Sequence, residues 1–347
     1  MNKKISYIII PTIFFFAIFK ESITTLKLFE NSNSKDHQSA RFYSERFSLT
    51  EQLHPLTEIL VISEARSGSS MLAELLCNLE TPGKCFHSFE PLWSIVASPF
   101  TRLTKFELPS SDFAELILNE TFNCNFNGMI KPFFEMWPHQ KKVFDLFAPQ
   151  NVTLQNLFSN DSISATTEVC KKSILKVVKI IRLRCFEDSV EILESLLKSR
   201  PNLAVIAIIR DPRAVFSSRL KTKRMAHKSY DECCINTFKT SISVERIRSK
   251  GYLSRVHLLK YEQLALRPIE TVQEMSHFLR LGDISSHTRD WIEQNLMSKN
   301  PVKTNSGYLT KNKNAVDHIQ TWNPEEFNNK SIICWHVLKH LQYNTIY

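Results

Sequence analysis

The sequence predicts an α/β fold in which a parallel sheet is flanked by helices. Short apolar and β-branched runs alternate with segments of helical spacing along the chain, and this alternation is typical of a parallel sheet. The run Ala204–Ile209 contains no polar residue, which indicates a strand buried on both faces. A strand, a polar turn and a helix over residues 58–79 are the first elements of the pattern.

The first strand, residues 59–62, leads through a turn at residues 63–70 into a helix with one apolar face. The helix carries leucines at i, i+3, i+4 and i+7, namely Leu72, Leu75, Leu76 and Leu79. Such a turn points backbone N–H groups and the positive end of a helix dipole at its contents. The expected ligand is an anion, most often a phosphate. The alternative is an ordinary strand–helix connection with a serine N-cap.

The residues of this turn suit an anion. Arg66 adds a fixed positive charge, and Gly68 allows the backbone to approach a ligand closely. Ser69 and Ser70 add hydroxyl donors. An ATP-type loop is a poor match, because the chain lacks GxxxxGK[ST] and has six glycines in all.

The second predicted strand, Cys85–Phe89, ends before Pro91, which cannot donate to a ladder. His87 and Glu90 then lie near its carboxyl end, the edge where open parallel sheets bind ligands. If this strand neighbours the first one, both residues lie beside the first turn. The alternatives are a packed core histidine at His87 and a solvated turn residue at Glu90.

Residues 94–172 lack clean periodicity, and we expect them to decorate the core and to shape an acceptor groove. A β-branched strand follows at residues 174–183, and a helix at residues 187–198. Lys179 and Arg182 on this strand would contact a donor or an acidic glycan, or else be solvated strand-end charges.

A second turn follows the buried run, with Arg210 at the end of the strand. Pro212 suits the first turn of a helix, and Ser218 then lies about two turns into it. A last strand, residues 256–261, precedes a further helix. Two strand–helix turns therefore carry arginine and serine at one edge of the sheet. A ligand with two phosphate groups would bridge them.

The amino terminus predicts a signal-anchor. Lys3 and Lys4 precede an uncharged apolar segment, residues 5–19, which is shorter than the roughly 20 residues of a full span. A cleaved signal peptide is the alternative. In the anchor interpretation, residues 1–4 are a cytosolic tail, residues 20–56 a polar stem and residues 57–347 a lumenal domain.

Charge, cysteines and sequons agree with a lumenal domain. The net charge of +9 predicts an acidic partner, and a lumenal location excludes nucleic acid. The eight cysteines form no metal-ligand cluster, so disulfides of unspecified pairing are expected instead of a metal site. Four glycosylation sequons occur, at Asn119, Asn151, Asn160 and Asn329.

With these motifs the sequence resembles the Golgi carbohydrate 6-O-sulfotransferases, which act on galactose, N-acetylgalactosamine and N-acetylglucosamine. The resemblance extends from about residue 58 to the C-terminus. The matching residues are Arg66–Ser70, Phe89–Trp93, Ile209–Val215, Ser218, Arg219, Lys260–Ala265, Trp291, Ile292 and Trp322.

The resemblance implies the PAPS-dependent sulfotransferase fold, with 3′-phosphoadenosine 5′-phosphosulfate (PAPS) as donor and no metal. It assigns the 5′-phosphosulfate to a loop comprising Arg66, Ser67, Gly68, Ser69, Ser70 and Met71. It assigns the 3′-phosphate to Arg210 and Ser218, with Asp211, Arg213 and Ser217 in the same segment. Arg66 would stabilise the leaving phosphate, and Glu90 or His87 would be the base.

The implied protein is a single-pass type II Golgi membrane enzyme. Its partners would be a glycan acceptor (a glycosaminoglycan or an N- or O-linked glycan), the membrane, and a second copy in a homodimer. A catalytically inactive glycan-binding protein with the same fold is the alternative. A lumenal kinase is a third interpretation, which the missing P-loop lysine motif disfavours.

The sequence departs from the family pattern at three places. Glu64-Ala65 replaces the usual Ser-Trp before the loop arginine, Lys260 and Gln263 replace Arg and Asp, and Gln342 replaces the glycine of a terminal Gly-Tyr. A carboxylate at Glu64 is unfavourable beside a phosphosulfate, so Glu64 must point away from the site or pair with a base.

Overall fold

A computed structural model of the chain describes residues 54–79, 84–92, 111–127, 160–181, 183, 189–220, 229–297 and 331–343. They belong to one compact unit, His54–Tyr347. The strands are β1 (Glu58–Ser63), β2 (Cys85–Phe89), β3 (Leu175–Ile180), β4 (Leu203–Ile209) and β5 (Val256–Lys260). Within the described ranges they form one sheet in the order β2-β3-β1-β4-β5, and every neighbouring pair is parallel. The predicted α/β class with a parallel sheet is confirmed.

Helices cover both faces of this sheet. They are α1 (Ser69–Cys77), α2 (Ser111–Phe122), α3 (Asn160–Lys172), α4 (Ser189–Ser199), α5 (Pro212–Leu220), α6 (Tyr230–Ile247), α7 (Tyr261–Leu266), α8 (Pro268–Phe278), α9 (Ser286–Ile292) and α10 (Ile332–His340). Single π-helical turns follow α6 and α9, at Arg248–Tyr252 and Glu293–Met297, and a 3₁₀ turn, Leu253–Arg255, leads into β5.

Strand β4 shows how the core is built. All seven of its residues are buried, as the unbroken apolar run predicts. Ala204, Ile206 and Ile208 pack into a cluster with α1, α7 and α8. Val205 and Ala207 point the other way, into a cluster with α2 and α4. Successive side chains of a strand face opposite sides, so one central strand supplies both halves of the core.

The order of the strands corrects one expectation about the second strand. Strand β3 lies between β1 and β2, with Lys179 opposite both Val61 and Phe89. Glu90, at the end of β2, is therefore beside β3, and it is one strand removed from the first turn. A smaller difference is that α1 ends at Cys77, so Leu79 packs on the core from outside the helix.

Three disulfides occur among the described residues, and they confirm the expectation from the cysteine pattern. Cys77–Cys85 joins α1 to β2, and Cys124–Cys170 joins the segment after α2 to α3. Cys234–Cys334 joins α6 to α10. Cys233 is a buried free thiol, and Cys185 lies outside the described residues.

The predicted anchor, residues 5–19, and Arg182 also lie outside the described residues. Among the helices that are described, none is both long and apolar enough to cross a membrane. Of the four sequons, Asn119 is on α2 and Asn160 begins α3, and the other two are outside the described ranges.

Candidate active site

The first loop, residues 64–68, bends sharply between β1 and α1. Arg66 and Gly68 both have positive φ, 76° and 91°. A Cβ added at Gly68 would stand 2.5 Å from Cδ2 of Tyr261, so both the backbone and the available space require glycine. Gly68 is also the N-cap of α1, and no side chain caps this helix. The alternative of a serine N-cap is therefore wrong, and the helix N-terminus keeps its preference for an anion.

The second loop follows β4 and places Arg210 in the core of the site. Arg210 is only 4% exposed. Its Nη1 donates to the carbonyl of Arg66 (3.2 Å), and its guanidinium carbon lies 4.3 Å from the ring centroid of Tyr261. Its Nε and Nη2 have no hydrogen-bond partner among the residues that the structure describes. Leaving buried donors unsatisfied is unfavourable, so this guanidinium suits a bound anion.

The two loops meet through their side chains. Arg66 Nε donates to Ser218 Oγ on α5 at 3.1 Å. As predicted, the two arginine- and serine-bearing turns therefore share one edge of the sheet. Burial and the charges of Arg210 and Arg219 lower the pKa of Arg66, because each disfavours one more positive charge. An anion placed between the loops would relieve this repulsion.

Glu64 pairs with a base, which is one of the two arrangements that make a carboxylate acceptable beside an anion site. Arg219, which has 0% exposure, donates from Nη2 to Glu64 Oε1 and to the carbonyl of Ala65 (3.0 Å). Its Nη1 contacts Cys233 Sγ at 3.1 Å. The carboxylate of Glu64, 2% exposed, is thus neutralised by α5 instead of opposing the loop's positive charge.

Asp211 and Arg213 are engaged with each other and with the C-terminal segment. Asp211 Oδ1 accepts from the backbone N of Arg213 at 2.9 Å, and Oδ2 accepts from its Nη2 at 2.8 Å. Arg213 Nη2 also donates to the carbonyl of Tyr343 at 2.8 Å. Both residues are nearly buried. These contacts hold the shape of the second loop.

The remaining residues predicted for donor binding line the two loops. Ser67 is fully buried, and its hydroxyl has no partner among the described residues. Ser69 is buried, and Ser70 is partly buried at the start of α1. Met71 packs against the apolar cluster of α1, and Ser217 is partly buried beside Ser218.

Glu90 and Lys179 form a buried ion pair at the same sheet edge. Glu90 Oε1 lies 2.6 Å from Lys179 Nζ, and both side chains are under 5% exposed. Glu90 Oε2 accepts from the backbone N of Ile181 at 3.3 Å. Lys179 also stands 4.0 Å from the ring centroid of Phe89. The alternative of a solvated strand-end charge at Lys179 is therefore wrong.

His87 lies inside β2 and is 7% exposed. Burial, helped by the charge of Lys179, lowers the pKa of His87 to about 3. The imidazole is consequently neutral near pH 7, which matches the alternative of a packed core histidine. Across the described ranges, no group of three or more His, Cys, Asp or Glu side chains is arranged to hold a metal ion.

A family model described as a sulfotransferase domain matches residues 56–337 of this chain. The chain belongs to the sulfotransferase domain family. Similar proteins include carbohydrate sulfotransferase 1 of Danio rerio, 24% identical over 84% of this chain and 78% of that protein. Human carbohydrate sulfotransferase 3 is 23% identical over 77% of this chain, which spans 62% of that longer protein. Carbohydrate sulfotransferase 5 of Mus musculus is 24% identical over 79% of this chain and 75% of that protein.

Solved structures with some likeness include the sulfotransferase domain from the curacin biosynthetic pathway, with a TM-score of 0.47. It is 16% identical and covers 82% of this chain and 96% of its own. Mouse sulfotransferase SULT7A1 complexed with PAP has a TM-score of 0.41 and 12% identity, covering 84% of this chain and 90% of its own. This sulfotransferase shares with its family the match over residues 56–337.

Sequence reasoning missed two parts of the sulfotransferase site. Tyr261 follows β5 and stacks on Arg210 while closing over Gly68. The rule that places ligand residues at strand ends, applied to this last strand, would have found it. For Lys179 the sequence predicts either a contact to donor or glycan or a solvated charge. Its pairing with Glu90 depends on a strand order that the local sequence does not encode.

Proposed function

We propose that this sulfotransferase transfers a sulfuryl group from PAPS to the 6-hydroxyl of GlcNAc, Gal or GalNAc in a glycan or proteoglycan. The observation that carries the proposal is the cluster of Arg66, Arg210 and Ser218, in which two buried donors of Arg210 lack a partner among the described residues. A sugar acceptor and the 6-position are supported by relatives named carbohydrate sulfotransferases and by the motifs of the 6-O-sulfotransferases.

The two loops suit the two ends of PAPS. In this proposal, residues 66–71 hold the 5′-phosphosulfate on the uncapped N-terminus of α1. Arg210, Ser217 and Ser218 hold the 3′-phosphate. The Nε and Nη2 of Arg210, which have no hydrogen-bond partner in the described part of the chain, provide a two-pronged donor. Asp211 and Arg213 shape this loop through each other and need not touch the donor.

Catalysis in this proposal is mainly positioning and charge neutralisation, as in phosphoryl transfer. PAPS, when bound, supplies an activated sulfuryl group. Arg66 and the backbone amides of its loop neutralise the charge that grows on the 5′-phosphate. Arg66, Arg210 and Arg219 lie close together at the two loops. Positive charge concentrated in this way suits an anionic leaving group.

Glu90 is the base in this proposal, and it accepts the proton of the acceptor hydroxyl. Lys179 orients its carboxylate at 2.6 Å. His87 is the weaker candidate, since a pKa of about 3 makes it a poor proton acceptor near neutral pH. Glu90→Gln should reduce kcat by about 100- to 10,000-fold, and His87→Gln should reduce it much less. The reverse order would assign the base to His87.

The cellular setting is part of the proposal. Residues 1–4 are a cytosolic tail, residues 5–19 a membrane anchor, residues 20–56 a stem and residues 57–347 a lumenal Golgi domain. The three disulfides support an oxidising compartment. A homodimer and a glycan acceptor are the proposed partners.

The test uses labelled PAPS and matched acceptors. Oligosaccharides ending in GlcNAc, Gal or GalNAc are compared with counterparts whose terminal sugar is 6-deoxy. Label should enter at least one parent acceptor and not its 6-deoxy counterpart. Equal labelling of both would refute the 6-position. Binding of glycan without any binding of PAPS or its product PAP would favour the inactive glycan-binding protein.

A further inference from the structure

The C-terminal segment Leu341–Tyr343 inserts into the base of the second donor loop. Tyr343 follows α10 and has 0% exposure. Its hydroxyl donates to Glu262 Oε2 at 3.0 Å, and its carbonyl accepts from Arg213 Nη2 at 2.8 Å. One residue near the end of the chain therefore contacts two different residues that hold the loop.

Glu262 connects this tyrosine to the loop backbone. Its other oxygen, Oε1, accepts from the backbone N of Asp211 at 3.0 Å. Burial raises the pKa of Glu262, and the hydrogen bond from Asp211 acts in the opposite direction. Tyr343 therefore reaches the loop along two routes, through Glu262 to the Asp211 amide and directly to Arg213.

The segment itself is fixed from outside the loop. Lys260 Nζ donates to the carbonyl of Leu341 at 2.7 Å and lies 4.9 Å from the ring centroid of Tyr343. The disulfide Cys234–Cys334 ties α10, which precedes the segment, to α6. Gln342 takes a left-handed φ of 57°, which turns the chain so that Tyr343 enters the core.

From this geometry we infer that Tyr343 is a positioning residue for the donor's 3′-phosphate. Arg210 directly precedes Asp211, so the backbone that Glu262 and Tyr343 hold sets the direction of its Nε and Nη2, the two donors without a partner within the described ranges. The inference rests on the proposed function, in which Arg210 receives that phosphate. A two-pronged guanidinium contact depends strongly on direction. Loosening the segment Leu341–Tyr343 should therefore weaken the contact of Arg210 with the 3′-phosphate more than the other contacts to the donor.

The test compares two ligands that differ by the 3′-phosphate. The dissociation constants of PAP and of 5′-AMP are measured calorimetrically for the full-length wild-type chain and for Tyr343→Phe. This substitution removes only the hydroxyl that contacts Glu262. Tyr252→Phe is the matched control, because Tyr252 lies before the amino end of β5, whereas Tyr343 lies beside Lys260 at the carboxyl end of that strand.

Tyr343→Phe should raise the Kd of PAP about tenfold, equivalent to about 1.4 kcal/mol, and leave the Kd of 5′-AMP within about twofold. Tyr252→Phe should change neither value. An unchanged Kd for PAP, or an equal loss for both ligands, overturns the inference, since a merely structural role would not separate them. Wild-type protein that binds neither ligand overturns the proposed function, and the inference with it.

Thermal unfolding shows whether Tyr343→Phe folds. If it does not fold, Lys260→Met is the second variant that tests the inference. Lys260 is half-buried, and its loss releases Leu341 while leaving the tyrosine hydroxyl in place. The same selective weakening of PAP binding is expected, to a smaller extent. Its absence in a folded Lys260→Met protein counts against the inference.

Discussion

The buried pair of Glu64 and Arg219 gives a prediction whose size follows from the structure. In Glu64→Ala, the Arg219 guanidinium, which has 0% exposure, keeps the carbonyl of Ala65 and the thiol of Cys233 as its partners among the residues that the structure describes. Removing one partner of a buried ion pair costs about 3–5 kcal/mol, because the remaining charge is left uncompensated. A domain has about 5–15 kcal/mol of stability in total, so the loss should be severe.

A double substitution distinguishes the cost of an uncompensated charge on Arg219 from a simple loss of packing at Glu64. Arg219→Met with Glu64→Ala removes both charges at once, and replacing a buried pair by apolar residues is often neutral or stabilising. The double variant should therefore be more stable than Glu64→Ala alone. The free energies of unfolding are measured by urea denaturation for the wild type, both single variants and the double variant.

An exposed ion pair provides the control for this comparison of single and double variants. Glu168 and Lys172 pair on the surface of α3, with side chains 64% and 74% exposed, and solvent screens such pairs. Glu168→Ala should leave the urea midpoint unchanged. If Glu64→Ala costs less than about 1 kcal/mol, or if the double variant is less stable than both single variants, the buried charge is not what holds the two residues together.

Four other substitutions test the site. Arg66→Ala should lower kcat by about 100- to 1,000-fold or more, and full activity with labelled PAPS would contradict its role. Arg210→Ala should abolish the preference for PAP over 5′-AMP in a binding assay, and an unaltered preference would refute the 3′-phosphate assignment. His87 has its folded pKa lowered to about 3, so it stabilises the fold above its unfolded pKa of about 6.5. That stability is lost as the pH falls from 6.5 towards 3, by about 1.4 kcal/mol per pH unit. His87→Leu should therefore flatten the Tm between pH 7 and 5, and an equally steep fall would contradict the lowered pKa. Gly68→Ala should lower the Tm and weaken PAP binding, because its Cβ would meet Tyr261. Gly282 has a similar φ of 79°, but a Cβ added there would meet open space. Gly282→Ala should therefore lower the Tm less than Gly68→Ala does. An equal fall in Tm would show that backbone strain alone explains the effect.

The sequence predicts those parts of the site that local patterns encode. The seven buried residues of β4 and the placement of Arg210 and Ser218 follow from one apolar run and one proline. The order of the strands does not follow, because any of several orders satisfies the same patterns. For this reason the pairing of Lys179 with Glu90 had to come from the structure.

Helices α2 and α3 show a second limit. Ala114, Ile117 and Leu118 are buried at helical spacing on α2. Polar residues and a sequon interrupt the apolar residues of this helix, so its periodicity is weak in the sequence. α3 has few apolar residues. Ile163 packs into the core cluster, and the disulfide Cys124–Cys170 ties the helix to the segment after α2. Long-range contacts of this kind are not visible in a window of a few residues.

The arrangement of the disulfides has a consequence for biosynthesis. The three bridges span 8, 46 and 100 positions and follow one another without crossing, so each can close as the chain emerges. Among the described cysteines, the adjacent residues Cys233 and Cys234 compete for Cys334. Consecutive helical residues point about 100° apart, and on α6 Cys233 faces Arg219 while Cys234 faces α10. Once α6 has formed, its geometry selects the correct partner before the last cysteine arrives.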